Sequence, residues 1–282
     1  MSSEVLTLES SGKTNSQELS VFENLPRRRG LDPLYFHRRR SLEGALRWSG
    51  AVDGSPRTCI DVGANIGQTL QEFLNWWPSA RCISFEPLPD AFGTLLKCAE
   101  SNHGRAVARN IGISDETGTL KLFASRSQST NSSFKRLNRG ADTVTAHRGL
   151  LSQPSALELS SESDEIPVDV SVTTLDDHLA TVWPESLWAA EEVDILKSDT
   201  QGWDLKVLRG ARTTLLRTRV VLVEWIFDDV YGSPTRLHEL DLLLSNAGLR
   251  LWDVSHVYKD LTSMRTLWAD FIYARPAVDQ IA

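Results

Sequence analysis

The chain has only three cysteines, no long apolar run and no surplus of positive charge, and each shortage excludes something. Cys59, Cys82 and Cys98 have no C-x-x-C spacing and fall in apolar or helical surroundings. They read as reduced thiols of a cytoplasmic protein, which excludes a disulfide framework or a zinc scaffold. The longest apolar stretch, Val220 to Val223 continuing past Glu224 into Trp225-Ile226-Phe227, is too short and interrupted to cross a bilayer, so no membrane span is expected. Met1 to Ser20 lacks the basic start and apolar run of a secretory signal. With 30 basic against 37 acidic residues, the chain lacks the basic surface that phosphate backbones require, so no nucleic-acid partner is expected. What remains is an ordinary globular composition, 41% hydrophobic over 282 residues, enough for one large domain with appendages.

Residues 1–52 read as an N-terminal extension, partly disordered or helical. It carries two arginine triplets, Arg27-Arg28-Arg29 and Arg38-Arg39-Arg40, around the patch Leu34-Tyr35-Phe36. Both triplets are taken as solvated charge. From residue 53 to 282 a regular alternation predicts strands at Thr58 to Val62, Arg81 to Glu86, Arg105 to Ser114, Val168 to Thr174, Val193 to Asp199 and Val220 to Trp225. Helices are predicted at Gln68 to Trp77, Pro89 to Ser101, Leu175 to Leu179, Trp203 to Leu216 and Leu237 to Asn246. Gly118 to Ala124 reads as an added edge strand. The Ser-rich stretch of about 125–166 is a long insertion, a lid or a loop ordered on binding. Strands alternating with helices imply right-handed crossovers and an α/β fold with a mostly parallel sheet. The last two strands, Leu249 to Val257 and Thr266 to Ala274, have no helix between them and predict an antiparallel hairpin.

In such sheets ligands bind beyond the carboxyl ends of the strands. The turn Asp61-Val62-Gly63-Ala64-Asn65-Ile66-Gly67 stands there, with two glycines that allow close approach and an asparagine that tolerates a left-handed backbone. Glu86-Pro87 ends the next strand, where a carboxylate can accept from a ribose diol. Ile113, Ser114 and Asp115 end the third and could wall an adenine. Asn65 stands where a dinucleotide fingerprint has its middle glycine, and Asp61 would repel pyrophosphate but suits a cation. The residues therefore point to S-adenosylmethionine rather than NAD.

These segments, with Thr174-Leu-Asp-Asp177, Leu196-Lys-Ser-Asp-Thr-Gln-Gly202 and Val207-Leu-Arg-Gly210, resemble the FkbM family of S-adenosylmethionine-dependent methyltransferases from about Thr58 to Ala274. The resemblance implies a Rossmann-like class I methyltransferase fold with a mostly parallel seven-stranded sheet, and O-methylation of a sugar, glycan or glycosylated natural product. It implies Asp61, Gly63, Ala64, Asn65 and Gly67 around the cofactor's methionine part, Glu86 and Pro87 at the ribose, Ile113 to Asp115 near adenine, and Asp199 beside the donor. Two positions depart from the family's pattern: Ser198 stands where an apolar residue is usual, and Trp203-Asp204 follows Gly202 in place of a glutamate.

Methyl transfer needs oxygen, methyl carbon and sulfur in line, and a group that takes the hydroxyl proton. Asp199 and Glu224, at the ends of adjacent strands, are candidates for that work. As an alternative they could chelate Mg²⁺, although no metal is the preferred reading. His178, at the head of a short helix, is a further catalytic candidate, and His147 and His256 are weaker ones. Trp76 and Trp77 read as core, and Trp203, Trp225 and Trp252 as strand-end aromatics. The acceptor is a small molecule or glycan, and a homodimer is compatible with the reading. An NAD(P)-dependent Rossmann oxidoreductase and a non-catalytic nucleoside-binding module are the rival readings.

Overall fold

The computed structural model describes residues 42–48, 56–125, 132–136, 165–182, 192–227, 231, 236–259 and 266–276. The arginine triplets, Leu34-Tyr35-Phe36 and His147 lie outside the described residues.

Seven strands form the main sheet: β1 (Thr58–Val62), β2 (Arg81–Phe85), β3 (Ala106–Arg109), β7 (Val193–Ser198), β8 (Thr218–Ile226), β9 (Arg250–Lys259) and β10 (Thr266–Ala274). Their order is β3-β2-β1-β7-β8-β10-β9. The first five are parallel, and β10 is antiparallel to both its neighbours. The expected parallel sheet and closing hairpin are both borne out. All five residues of β1 are buried, as a central strand covered on both faces requires.

Alternation along β8 supplies both layers of core at once, because successive side chains of a strand leave opposite faces. Val221, Val223 and Trp225 join α4 (Leu175–Val182), α5 (Asp204–Arg209), α6 (Arg212–Leu216) and α7 (Leu237–Asn246). Val220 and Leu222 join α1 (Leu42–Trp48), α2 (Gln68–Trp76) and α3 (Pro89–Ser101) on the other face. Leu46 of α1 is fully buried there, beside Trp77. Helix α2 stops at Trp77, whose backbone is extended as the residue before Pro78 prefers.

Three expectations are corrected. The single third strand is broken at Asn110, whose amide donates to the carbonyls of Glu86 (2.9 Å) and Pro87 (3.1 Å). Beyond the break β4 (Gly112–Ile113) belongs to a different sheet. The expected edge strand, β5 (Gly118–Ser125), also leaves the main sheet. It pairs antiparallel with β6 (Glu165–Thr173) in a small sheet ordered β4-β6-β5, so the two ends of the insertion are stitched together. The expected helix Trp203 to Leu216 is two helices. At Gly210, where a Cβ would lie 1.9 Å from the Ser114 carbonyl, the chain passes too close for a continuous helix surface. Asp176 then caps α6, accepting from the amides of Thr213 (2.8 Å) and Thr214 (2.9 Å).

Candidate active site

The sheet reverses its winding between β1 and β7, which opens a crevice at their carboxyl ends. Around it the turn after β1 folds back on β2: the amides of Gly63 and Ala64 both donate to the Phe85 carbonyl, at 3.1 and 3.0 Å. Gly63 has φ 81°, and a Cβ there would sit 2.0 Å from the Asp199 carbonyl oxygen, so glycine alone fits between β1 and the end of β7. Asn65 takes a left-handed backbone (φ 48°), which aims its amide at Glu86 Oε2, 2.9 Å away. The Leu88 amide donates to Glu86 Oε1 at 2.8 Å. Burial pushes the Glu86 carboxyl up to about 7, against the pull of these two amides.

A cavity of about 250 Å³ lies here. Its walls include Gly63, Ala64, Asn65, Glu86, Pro87, Ile113 and Asp199 among the expected residues, joined by Phe85, Ile111, Leu122, Phe134, Lys197 and Gln201. Asp61, Gly67, Ser114, Asp115 and Glu224 are not among the residues that line it. Gly67 (φ 99°) starts α2. Ser114 Oγ accepts from Trp203 Nε1 at 3.3 Å, and Lys206 grips Asp115 at 2.9 Å.

Asp61 is completely buried, and among the described residues neither of its oxygens has a hydrogen-bond donor; Oδ1 of Asn65 is equally unpartnered. Lys197 Nζ approaches Asp61 no closer than 3.9 Å. Burial raises the Asp61 carboxyl to about 6, with Lys197 opposing. Lys197 is the cation of the site, 3.0 Å from Asp199 Oδ2. Burial alone would lower its pKa, but the charges of Asp199 and Asp61 more than reverse that and keep it protonated.

On the far side of Lys197 stands the acid pair. Gln201, itself left-handed (φ 53°), donates to Asp199 Oδ1 (3.2 Å) and Glu224 Oε2 (2.9 Å) and accepts from the Tyr231 hydroxyl at 2.8 Å. Burial and the neighbouring Asp199 push Glu224 far above the usual carboxylate range. Burial opposes ionisation of Asp199 too, but Lys197 and hydrogen bonds from Gln201 and Glu224 hold it below its usual value. The two carboxyls are thus pushed apart, Asp199 toward its ionised form and Glu224 toward its protonated one. The departures around Gly202 now have a cause: Ser198 Oγ (2.6 Å), Thr200 Oγ1 (2.9 Å) and the Thr200 amide (3.1 Å) all donate to buried Asp204, which pins the turn carrying Asp199 and Gln201.

The insertion contributes directly. Ser133 donates to the Gln201 carbonyl at 2.7 Å, and Phe134 packs on Trp203 with ring centroids 5.2 Å apart. His178 does not join the site. It lies on α4, its ring edge-on to Phe85 at 5.1 Å, and burial with the Arg109 charge lowers its pKa. Trp225 is core, as is Trp77. Lys197 and Gln201 donate to both oxygens of Asp199 and to Glu224 Oε2, and among the described residues no group of three His, Cys, Asp or Glu side chains is placed to hold a metal ion.

The sheet order, with a crevice at its switch point, is that of the class I methyltransferase fold. The Methyltransferase FkbM domain matches residues 61–251, and the chain belongs to that family of S-adenosylmethionine-dependent methyltransferases, which sets the oxidoreductase reading aside. Among curated proteins it is 27% identical over 224 residues to methyltransferase sdnD of Sordaria araneosa (74% of this chain, 76% of that one). It is 26% identical over 190 residues to the 2-O-methyltransferase NoeI of Sinorhizobium fredii (66% and 70%). Among solved structures, fibrillarin of Aeropyrum pernix with bound S-adenosyl-L-methionine is 14% identical, with a TM-score of 0.42 over 84% of this chain and 76% of that one. No helix among the described residues is long and apolar enough to cross a membrane.

Lys197 and Gln201 stood in a segment that resembles the family but were given no role, and Tyr231 and Phe134 went unmarked. Lys197 carried a signal, a charge inside an apolar strand two residues before Asp199. Gln201 and Phe134 carried none, since their roles depend on a left-handed turn and on where the insertion lands.

Proposed function

We propose that this protein is an O-methyltransferase that moves the methyl group of S-adenosylmethionine to a hydroxyl of a sugar, glycan or glycosylated small molecule. The observation that carries the reading is Asp61, a fully buried carboxyl with no hydrogen-bond donor among the described residues, next to a cavity that both Glu86 and Asp199 line. When bound, S-adenosylmethionine supplies an electrophilic methyl on a positively charged sulfur. Glu86 would hold the ribose hydroxyls with the lone pairs its two amide bonds leave over. Asn65 Oδ1 would receive the ammonium of the amino-acid part, with the negative charge available on buried Asp61 favouring it, and Ile111, Ile113 and Phe134 would flank adenine. Asp199, kept ionised by Lys197, favours positive charge at the reacting centre. Glu224, joined to Asp199 through Gln201, helps to hold that carboxylate in place. The 2-O-methyltransferase named among the relatives supports oxygen as the nucleophile.

The test is incubation of the full chain with methyl-labelled S-adenosylmethionine and a panel of aryl glycosides, with amine and thiol analogues as controls. Label in a base-stable ether, detected by mass spectrometry, is the expected result. Label only in the amine or thiol products contradicts the oxygen assignment, and no turnover despite cofactor binding supports the non-catalytic module.

A further inference from the structure

The amino-acid end of S-adenosylmethionine carries two charges on one carbon, an ammonium and a carboxylate, and Asn65 with Asp61 answers only the first. The carboxylate calls for a cation beside them. Lys197 is the one basic side chain among the described residues that line the cavity, whose other charged members are Glu86 and Asp199. Strand register puts it there. Asp61 of β1 lies directly opposite Lys197 of β7, and two residues earlier Cys59 and Ile195 join the core layer under α2. Residues two apart on a strand share a face, so both side chains leave the sheet on the α2 side. Lys197 Nζ then stands 3.9 Å from Asp61 Oδ1, side by side as the receptors of one amino acid must be.

An ammonium has three N–H donors. Among the described residues Asp199 Oδ2 accepts one of them, at 3.0 Å, and Asp61 lies beyond hydrogen-bond distance. The lysine side chain is only 14% exposed, and a buried donor left unmatched is costly, a cost that an incoming anion relieves. The first turn of α2 faces the same space through Gln68 and Thr69. It has no side-chain cap and no acid of its own, so its unpaired amides favour the same negative charge.

Given the cofactor placement above, on which this rests, we propose that Lys197 receives the carboxylate of the cofactor's amino-acid part and so selects the amino-acid-bearing nucleoside over its decarboxylated counterpart. Charge decides the selection. Asp61, Glu86 and Asp199 each favour a cation when ionised. Acids alone would therefore prefer the decarboxylated ligand, which keeps its ammonium and has lost its anion. Lys197 reverses that preference. Burial works against its charge, but Asp199, Asp61 and Glu224 outweigh burial and keep it protonated. One residue thus has two tasks: it holds Asp199 with one donor and offers the others to the ligand.

The test is calorimetry on the full chain with two ligands, S-adenosylhomocysteine and its decarboxylated analogue, which ends in an aminopropyl thioether. Wild type is expected to bind S-adenosylhomocysteine about 10- to 100-fold more tightly, the worth of a hydrogen bond to a charged group. Lys197→Met is expected to erase that ratio by weakening S-adenosylhomocysteine, while the analogue binds at least as tightly as before. Lys197→Gln, which keeps a donor toward Asp199, serves where circular dichroism shows the methionine variant unfolded, and the same loss of ratio is expected. Asn65→Ala, on the ammonium side, is expected to weaken both ligands alike and leave the ratio standing. Equal binding of the two ligands by wild type overturns the proposal without any variant, and so does a folded Lys197 variant that keeps the full ratio. Failure of the wild type to bind either ligand instead overturns the cofactor placement beneath it.

Discussion

The two halves of the sheet's carboxyl edge are built differently. Beyond β1 and β2 the ligand groups come from two short contiguous segments, 61–67 and 85–88, and backbone amides position them: Gly63, Ala64, Asn65 and Leu88 all donate locally. Beyond β7 and β8 the candidate groups are Asp199 and Glu224, one from each strand, and side chains hold them: Lys197 and Gln201, the latter fixed by Tyr231. A backbone cradle dictates which residues can occupy a few neighbouring positions, whereas a side-chain row dictates nothing about its neighbours in sequence.

Substituting one glycine in each half gives the sharpest contrast. Gly63→Ala meets both a positive φ and a backbone carbonyl 2.0 Å away, and is expected to cost more than about 3 kcal/mol in urea denaturation and to abolish cofactor binding. Gly202→Ala also has a positive φ, but its new methyl meets only Tyr231 at 3.2 Å. It is expected to cost about 1–2 kcal/mol and to keep cofactor affinity. Equal losses would break the distinction.

Next in size is a pH effect confined to the cradle. Asp61 titrates at about 6 in the folded chain against a reference value of 3.8, so between about pH 4 and 6 the folded state keeps a proton that the unfolded state has lost. Wild-type stability therefore falls through this window as pH rises, by about 3 kcal/mol from this group. Asp61→Asn should remove that share of the slope, and parallel stability–pH curves for the two proteins would contradict the assignment.

In the row, Gln201→Ala releases Asp199, Glu224 and Tyr231 together. Turnover is expected to fall on the order of 10²-fold through misplacement, with S-adenosylhomocysteine affinity unchanged in calorimetry. The smallest effect belongs to neither half: Asp176→Ala removes the cap on α6, costs about 1–2 kcal/mol in thermal or urea unfolding and leaves kinetics unaltered.

This division also explains what could be read in the sequence. The cradle was legible because Asp61 to Gly67 and Phe85 to Pro87 are unbroken segments whose glycines, asparagine and acid each answer a local backbone demand. The parallel sheet was legible from alternating apolar segments, and the closing hairpin from a missing helix. The small sheet was not, because β5 finds its partner about 40 residues away across the insertion, and alternation names a strand without naming its neighbour. Asp199 and Glu224 could be picked out as strand-end acids, but their division into carboxylate and carboxylic acid depends on Lys197 and Gln201. His178 was misleading because the head of a helix says nothing about which face of the sheet that helix covers. His256 read as an isolated strand-end residue, because alternation does not show that Asp270 of the adjacent strand comes within 2.7 Å of its Nδ1.

The most direct test of the account is calorimetry on the full chain, with S-adenosylhomocysteine and NAD⁺ titrated separately into wild type and Glu86→Ala. The account predicts one-site binding of S-adenosylhomocysteine to wild type, its loss in Glu86→Ala, and no heat from NAD⁺. Silence with S-adenosylhomocysteine and clear binding of NAD⁺ would contradict it.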